Sequence, residues 1–328
     1  MDANFSLLLY DLSPERGFVQ SPFLSLGQLL SGVRYLAFQH VFFWNRERSK
    51  KNDSDGSKID LWPTATYWDM SKQAGGQSEK LKDCWDIACK ELELENTSIC
   101  QSKTENPGKK LASLAEKLNE RIHKNPQTVI HGDPKAANFF FTKQKSTISD
   151  SSSVAVVDFQ WSGYGRCTAD LAYFVAAGID PELAKTDLSR FFKKYKLDGG
   201  DGRVDGDTKD ADKDSLTYRI LLHYESSFKE FWDRLYGKSE NEKHAFPTSM
   251  QLDEPGSSIG LFQDYKDAFC VLMRVALVDH YGLNFKAETL RKREKLQGNA
   301  KLPFNAYNKS CDVGRWMICL LFEFLENM

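Results

Sequence analysis

The sequence predicts an α+β protein that is mostly helical. Three observations support this: apolar residues recur at helical spacing in several long segments, short apolar runs flank one polar loop, and residues 215–328 carry mainly helical patterns. The chain has 328 residues and is 41% hydrophobic, which is enough for a sizeable core. The net charge of -2 gives no global field that would favour nucleic acid or an anionic membrane, so neither is expected as a partner.

The first elements are a short apolar run and a long helix. Residues 5–9 (FSLLL) predict a strand that leads into an extended connector. Residues 26–44 repeat apolar side chains at helical spacing, and Ser25 with Gln28 forms an S-x-x-Q capping box at the start of that helix. His40 lies on its apolar face, where a histidine with satisfied hydrogen bonds is expected rather than a ligand or a base.

Two helical patches and a hairpin follow. Residues 78–94 and 111–122 have one apolar face each and predict helices. Val129–Ile130, Phe139–Phe141 and Val154–Phe159 predict short strands, and the last two are joined by a turn-rich tip. A polar loop therefore lies between the first strand and a β-hairpin.

The rest of the chain predicts helices around one acidic insertion. Residues 168–178 predict a helix that stops at Gly178. Residues 198–214 are acidic and rich in glycine, which is typical of an exposed insertion or a linker. Fragments there resemble a calcium loop, but the twelve-residue spacing with a terminal glutamate is absent, so calcium is not favoured.

The seven cysteines predict no disulfide framework and no zinc site. Their number is odd and no C-x-x-C pair occurs, so buried free thiols in a reducing compartment are expected. No basic and apolar leader is recognised at the N-terminus, and no uncharged apolar run reaches the roughly 18 residues of a membrane span. The prediction is a soluble, cytoplasmic protein.

The polar loop carries the chemistry. In TVIHGDPKAANFFF (residues 128–141), Asp133 and Asn138 are five residues apart, and the hairpin brings Asp158 back towards them. An amide and a carboxylate can share a divalent ion such as Mg²⁺, which prefers oxygen ligands, and a second carboxylate remains to accept the proton of a hydroxyl. Lys135 can stabilise charge on a transferring phosphoryl group. This set of residues suits phosphoryl transfer.

Three ordered motifs resemble one family. They are H-G-D-x-x-x-x-N at 131–138, D-F-Q at 158–160 and G-x-G-x-x-x-x-D-L-A at 163–172. They resemble the small-molecule kinases of the protein-kinase-like fold: aminoglycoside phosphotransferases, choline/ethanolamine kinases and ecdysteroid-kinase-like (CHK-type) proteins. The stretches LLLYDLSPERG and QSPFLSLGQLL resemble the hinge strand and the first C-lobe helix of these kinases.

The resemblance implies roles for the residues of the loop. Asp133 corresponds to the catalytic base, and Lys135 to a lysine that some of these kinases place there. Asn138 and Asp158 correspond to the ligands of Mg²⁺. His131 is implied to buttress the loop rather than to react. The implied cofactors are ATP and Mg²⁺, and the implied partner is a small-molecule alcohol.

Two further roles follow from the resemblance. Asp170 is implied to brace the catalytic loop through its backbone. The hinge backbone at Tyr10, Asp11 and Leu12 is implied to meet the adenine of ATP. The implied organisation is a hinge strand and connector at 1–18 and a C-lobe at 19–328, with its parts in the following order: catalytic loop 129–142, metal strand 154–160, acidic insertion 198–214 and helical substrate-side region 215–328.

The resemblance also implies an N-lobe, but the motifs of an N-lobe are not found before the predicted hinge. A kinase needs a glycine-rich loop and a lysine on a strand that pairs with the phosphates. No lysine precedes Lys50, and no G-x-G-x-x-G precedes the hinge. The expected fold is a protein-kinase-like C-lobe with a short catalytic β-hairpin, whose N-lobe is absent or reduced to the hinge strand. A misassigned start or a fragment, a degenerate kinase, and a face supplied by another chain remain open explanations.

The functional prediction is ATP-dependent phosphotransfer to a hydroxyl group of a small molecule, and the chain is expected to be an enzyme on this basis. The alternative is a catalytically impaired or truncated kinase-like protein that acts as a binding or scaffold module. A transition-metal hydrolase built on His131 and Asp133 is disfavoured because a second ligand cluster is missing. The sequence leaves open whether the acceptor is choline-like, an aminoglycoside, a steroid or a sugar alcohol, and it does not predict the oligomeric state.

Overall fold

The structure is a computed structural model, and it is mostly helical in the part of the chain that it describes. The described residues are 11–44, 61–73, 76–100, 105–124, 128–142, 154–195, 213–237, 245–252, 260–295, 310–326 and 328. The predicted strand at 5–9, the hinge residue Tyr10 and most of the acidic insertion lie outside them. Long helices with small antiparallel sheets are compatible with the predicted α+β kinase-like fold.

The helices of the described residues run in this order: α1 (Leu26–Phe42), α2 (Gln77–Glu91), α3 (Pro107–His123), α4 (Cys167–Gly178), α5 (Pro181–Tyr195), α6 (Leu216–Tyr236), α7 (Leu261–Asp279), α8 (Ala287–Lys295) and α9 (Cys311–Glu326). The strands are β1 (Phe18–Val19), β2 (Thr128–Ile130), β3 (Phe139–Thr142), β4 (Val154–Val156) and β5 (Gly163–Gly165). The helices predicted from periodicity are confirmed, including the start of α1 at a capping box between Ser25 and Gln28.

Two small sheets frame the polar loop. One has the strand order β1-β3-β4, and the other pairs β2 with β5. In the β3–β4 hairpin, Phe139 lies opposite Val156, and Phe141 lies opposite Val154. The loop leaves β2 in one sheet and enters β3 in the other, so both of its ends are anchored by strand pairing.

The predicted strand 154–159 is too long by three residues. β4 ends at Val156, and Asp158 has a φ of 66°, outside the extended region. The turn arises because the chain must leave the hairpin there and pass back across the polar loop. The strands β1 and β5 and the helix α5 were not predicted at all.

The hydrophobic core lies between the helices. Helix α7 is buried along nearly all of its length, with α2, α3, α4 and α9 packed around it. Helix α1 packs against α4 and α6, and α5 packs against α9. Every residue of α4 from Cys167 to Gly178 is buried, so any polar side chain on α4 must find a partner inside the protein.

The prediction that all cysteines are free is wrong for two of them. Cys89 and Cys100 form a disulfide, with their Cα atoms 6.3 Å apart. The other five cysteines are buried free thiols, as predicted. The error arose because a bond across eleven residues leaves no spacing motif in the sequence. Disulfides persist mainly in oxidising compartments, so this bond weakens the inference of a reducing one.

Membrane-spanning helices do not occur among the described residues. None of the helices there has both the length and the apolar composition needed to cross a bilayer.

Candidate active site

The polar loop is the segment His131–Asn138 between β2 and β3. Its sharpest turn is at Gly132, which has a φ of 84°. A Cβ atom on Gly132 would lie 2.2 Å from the carbonyl oxygen of Trp161 and 3.0 Å from the backbone nitrogen of Thr66. Glycine is therefore required at this position both by the backbone conformation and by the close approach of two other chain segments.

Asp170 holds the start of the loop from helix α4. Its Oδ2 accepts a hydrogen bond from the backbone N–H of His131 (2.7 Å), and its Oδ1 accepts one from Gly132 (2.9 Å). His40 of α1 approaches the same carboxylate, with Nε2 3.2 Å from Oδ2. The Nδ1 atom of His40 is 2.9 Å from the hydroxyl of Tyr224, whose pKa burial raises well above its ordinary value. Asp170 thus contacts the loop backbone, as the resemblance implied, while His40 is the satisfied core histidine that was predicted.

His131 is a buried part of the framework. Its Nδ1 accepts a hydrogen bond from the backbone N–H of Asp133 (3.2 Å), so its Nε2 carries the hydrogen and donates to the carbonyl of Val157 (3.0 Å). The imidazole ring also packs on the ring of Phe159, with their centroids 4.6 Å apart. His131 therefore connects the loop to the segment that follows β4, and both of its ring nitrogens are occupied.

Asp133 and Lys135 form an ion pair inside the loop. The Lys135 Nζ donates to Oδ2 of Asp133 at 2.6 Å. The other carboxylate oxygen, Oδ1, is buried and has no hydrogen-bond partner within the described part of the chain. A buried carboxylate oxygen without a donor is costly, so its retention indicates a position kept for a ligand group.

Asn138 and Asp158 are brought together by the hairpin. The Asn138 side-chain nitrogen donates to the carbonyl of Asp133 (2.8 Å), which leaves its amide oxygen for another contact. The carbonyl of Asn138 accepts a hydrogen bond from the backbone N–H of Val157 (3.0 Å), the residue before Asp158. The Asp158 side chain is exposed. One amide oxygen and one carboxylate are donors that fit Mg²⁺, which keeps several water ligands.

No group of three or more His, Cys, Asp or Glu side chains suited to a metal occurs among the described residues. A site for zinc or another transition metal, which would use such a cluster, therefore has no counterpart in that part of the chain. The oxygen pair of Asn138 and Asp158 is the donor set to consider.

The hinge is described only in part. Tyr10 lies outside the described residues. The carboxylate of Asp11 accepts a hydrogen bond from the backbone N–H of Ser13 (2.9 Å), and Leu12 is half-buried. The segment then forms β1, which pairs with β3 directly after the catalytic loop. The connector is therefore tied to the same sheet as the loop.

A cluster of Lys72 with Trp62 and Trp161 lies beside the polar loop, and the sequence did not predict it. Lys72 donates to the carbonyl of Thr66 (2.8 Å), and its ammonium lies 4.8 Å from the ring of Trp62 and 5.5 Å from that of Trp161. The two indole rings stack at 5.5 Å. Burial lowers the pKa of Lys72. This cluster adjoins the polar loop because the backbones of Thr66 and Trp161 pack on Gly132.

Sequence reasoning had only a weak signal for this cluster. The stretch LWPTATYWDM is aromatic and follows a long polar segment, which showed that the chain returns to the body of the protein but not where. Ser162 was also missed, although its hydroxyl donates to the carbonyl of His131 (3.1 Å). These contacts join segments far apart in sequence, so no local spacing reveals them.

A comparison with protein families gives a match over the part of the chain that carries the motifs. Residues 69–198 match the model of the ecdysteroid kinase-like family. The matched stretch is less than half of the chain, and it contains the catalytic loop, the β3–β4 hairpin and Asp170. No curated protein matches the chain significantly. The resemblance to a small-molecule kinase-like family is thus confirmed for the segment that carries the motifs.

Proposed function

We propose that this protein transfers the γ-phosphate of ATP to a hydroxyl group of a small molecule. The single observation that supports this best is the buried Oδ1 of Asp133, which has no hydrogen-bond partner among the described residues, while Oδ2 is paired with Lys135. The family match and the order of the motifs agree with a kinase-like phosphotransferase.

Asp133 is proposed as the general base. Its Oδ1 accepts a hydrogen bond from the hydroxyl of the alcohol and takes its proton as the new P–O bond forms. In the same step the bond between the γ-phosphorus and the β–γ bridging oxygen breaks, and ADP leaves. Lys135 orients the carboxylate through Oδ2, and its ammonium supplies positive charge close to the transferring phosphoryl group. His131 is a positioning residue, since both of its nitrogens are used within the framework.

Asn138 and Asp158 are proposed to hold Mg²⁺. When bound, the ion neutralises charge on the phosphate oxygens of ATP. The chain's own contribution is to present the two oxygen donors from the residue before β3 and from the turn after β4. The hinge backbone at Tyr10, Asp11 and Leu12 is the proposed contact for adenine, and the helical region 215–328 is the proposed acceptor side of a C-lobe that begins near residue 19.

The charged side chains near the loop influence which alcohol can bind as the substrate. Lys72 and Lys135 both lie at or beside the catalytic loop, and the only carboxylate inside the loop is already paired. A cationic acceptor such as choline or an aminoglycoside would meet repulsion there, so we propose a neutral alcohol. The exposed indole of Trp62, stacked on Trp161, offers an apolar ring surface for such a molecule.

The test is an ATP-dependent transfer assay with Mg²⁺ and a panel of alcohols: a neutral polyol, a hydroxysteroid, choline and an aminoglycoside. The readouts are ADP release and the mass of the phosphorylated product. We expect turnover with a neutral alcohol, loss of turnover in Asp133→Asn, and a higher Mg²⁺ requirement in Asn138→Ala and Asp158→Ala. Asp86→Asn, at an exposed position of α2, is the matched control.

Full activity in Asp133→Asn would remove the proposed site. If ATP binds but no alcohol is phosphorylated, the chain is better described as a kinase-like binding module, the alternative from the sequence. Cytoplasmic localisation, which the sequence also predicts, is tested separately by imaging of the full chain in its source cells.

A further inference from the structure

A cavity lies beside the segment that follows β4, next to the proposed catalytic loop. It has a volume of about 480 Å³ and opens between helix α1 and the segment after β4. Its principal lining residues are Tyr35, Phe38, Gln39, Phe42, Phe159 and Ser162. The lining is almost entirely apolar, and the side chains of Phe38 and Phe159 are 43% and 45% exposed although both are large and aromatic. Cavities between about 300 and 1,000 Å³ are of the size that holds small organic ligands.

One polar group in the wall of this cavity is unsatisfied. Gln39 is 7% exposed, and its Oε1 makes no hydrogen bond to any described residue. Buried amide oxygens almost always have a donor, so this one marks a missing partner. Gln39 is also one of the residues that line the cavity.

A second polar group in the wall also favours a donor. The hydroxyl of Ser162 donates its hydrogen to the carbonyl of His131 (3.1 Å), so what it can still offer to a ligand is an acceptor lone pair. The Gln39 amide oxygen and the Ser162 hydroxyl can therefore each accept a hydrogen bond from a hydroxyl or N–H on an otherwise apolar molecule.

This cavity is separate from the proposed catalytic site. Asp133, Lys135, Asn138 and Asp158 do not line it. Phe159 stands between the two sites, because one part of its ring lines the cavity and the ring also packs on His131 at 4.6 Å. A molecule in the cavity would contact the framework that holds the catalytic loop without touching the proposed base.

We propose that this cavity is an accessory binding site for a flat, apolar small molecule that carries one hydroxyl donor. The rings of Phe38 and Phe159 form its walls, and Gln39 Oε1 accepts the hydroxyl hydrogen. The bound molecule holds Phe159 against His131, so the site is placed to stabilise the loop from behind. The proposal does not depend on which acceptor the catalytic site takes, or on turnover.

The experiment uses a matched pair of probes on the full chain. 2-Naphthol carries a hydroxyl donor, while 2-methoxynaphthalene has nearly the same shape and no donor. Binding of each is measured by titration calorimetry to the wild type and to Gln39→Leu, which keeps the side-chain size and removes the acceptor. Phe38→Ala shortens a wall, and Leu283→Ala, at an exposed leucine outside this cavity, is its control.

We expect saturable binding at one site, with 2-naphthol preferred about tenfold, the effect of one hydrogen bond to a buried acceptor. That preference disappears in Gln39→Leu, both probes bind more weakly to Phe38→Ala, and Leu283→Ala binds like the wild type. Asp133→Asn retains binding, which separates this site from the catalytic proposal.

Three results would overturn the proposal: the absence of saturable binding, an equal preference in the wild type and Gln39→Leu, or a stable dimer in sedimentation that Phe38→Glu dissociates. The last would assign this face to a second copy of the chain. Because Gln39→Leu removes an unsatisfied buried oxygen, it is expected to fold at least as well as the wild type, and thermal melting checks this.

Discussion

Two buried charge clusters in this protein differ in how completely their carboxylates are satisfied. In the contact between α5 and α9, Glu323 receives two parallel hydrogen bonds from Arg190, both at 3.0 Å, and a third from Lys194 at 2.7 Å. Nearby, Asp187 accepts one bond from the indole of Trp316 (2.8 Å) and one from the backbone of Leu216 (3.0 Å). Every carboxylate oxygen of this cluster has a donor.

In the polar loop, by contrast, one buried carboxylate oxygen has no donor among the described residues. Asp170 has donors on both oxygens, as the carboxylates of the α5–α9 cluster do. Asp133 has Lys135 on one oxygen and no described partner on the other. Both clusters have buried carboxylates with ion partners, so what sets the proposed base apart is its unsatisfied acceptor.

The largest expected effect tests this distinction at Asp133. Exchange of its carboxylate for an amide in Asp133→Asn removes the proposed base and should lower kcat by about 10²- to 10⁴-fold. The free energy of unfolding should fall by less than in the Glu323 exchange below, because the substitution weakens one ion pair, with Lys135, and Oδ1 has no partner to lose among the described residues. Steady-state kinetics and urea denaturation of the same preparation measure both quantities. A large loss of stability with kcat unchanged would reverse the roles of the two clusters.

The same chemical exchange at Glu323 should give the opposite result. Glu323→Gln removes the carboxylate that the half-buried Arg190 and Lys194 share and leaves Arg190 with Asp187, 3.6 Å away, so the loss should be at most the roughly 3 to 5 kcal/mol of a fully broken buried pair. The activity per folded molecule should be retained, because this cluster joins α5 to α9 rather than to the loop. Urea denaturation gives the first quantity, and kcat corrected for the folded fraction gives the second. Unchanged stability would contradict the structural assignment of this cluster.

The sequence predicted the elements that are governed by local rules. The capping box of α1, the apolar face of α3 and the order of Asp133, Asn138 and Asp158 are all readable within about thirty residues. Both the hairpin and the return of Asp158 to the loop follow from strand pairing between neighbours in sequence.

The missed features depend on distant partners. The strand β5 is only Gly163–Gly165, and it exists because it pairs with β2 more than thirty residues earlier. The position of Lys72 beside the loop, the disulfide of Cys89 with Cys100, and the unsatisfied oxygen of Gln39 likewise follow from packing. No periodicity or motif encodes such contacts, so they could not be predicted from one sequence.

Two glycine-to-alanine substitutions compare the backbone constraints of the loop and of helix α9. Gly132→Ala in the loop forces a Cβ to within 2.2 Å of a backbone oxygen at a φ of 84°, and should cost about 2 to 3 kcal/mol and most of the activity. Gly314→Ala in α9 brings a Cβ to 3.2 to 3.3 Å from side-chain atoms of Leu92 and Tyr281 rather than from a backbone oxygen, and alanine favours a helix. We expect its stability to lie within about 1 kcal/mol of the wild type. Thermal melts of the two variants compare them directly, and equal losses would mean that the loop is not specially constrained.

The smallest expected effect is a difference in how stability depends on pH. Burial raises the pKa of Glu323, but hydrogen bonds and charge from Arg190 and Lys194 outweigh it, so the pKa lies below its ordinary value. A carboxyl group whose pKa is lower in the folded state stabilises the protein above the unfolded pKa of about 4.3, and this stabilisation is lost as the pH falls through the folded pKa. The stability advantage of the wild type over Glu323→Gln should therefore shrink as the pH falls, most steeply below about pH 4.3.

Asp267 provides the opposite sign as a control. Burial raises its pKa in spite of Arg121, so its protonated form is favoured in the folded protein. The wild type should gain stability relative to Asp267→Asn as the pH falls, while it loses stability relative to Glu323→Gln over the same range. Urea midpoints at pH 6, 5 and 4 for the three proteins separate the two trends. If the stability differences of the wild type from Glu323→Gln and from Asp267→Asn changed in the same direction, the ionised, hydrogen-bonded Glu323 would not be what stabilises the α5–α9 contact. The comparison with Asp133 would then depend only on the measurements at the loop.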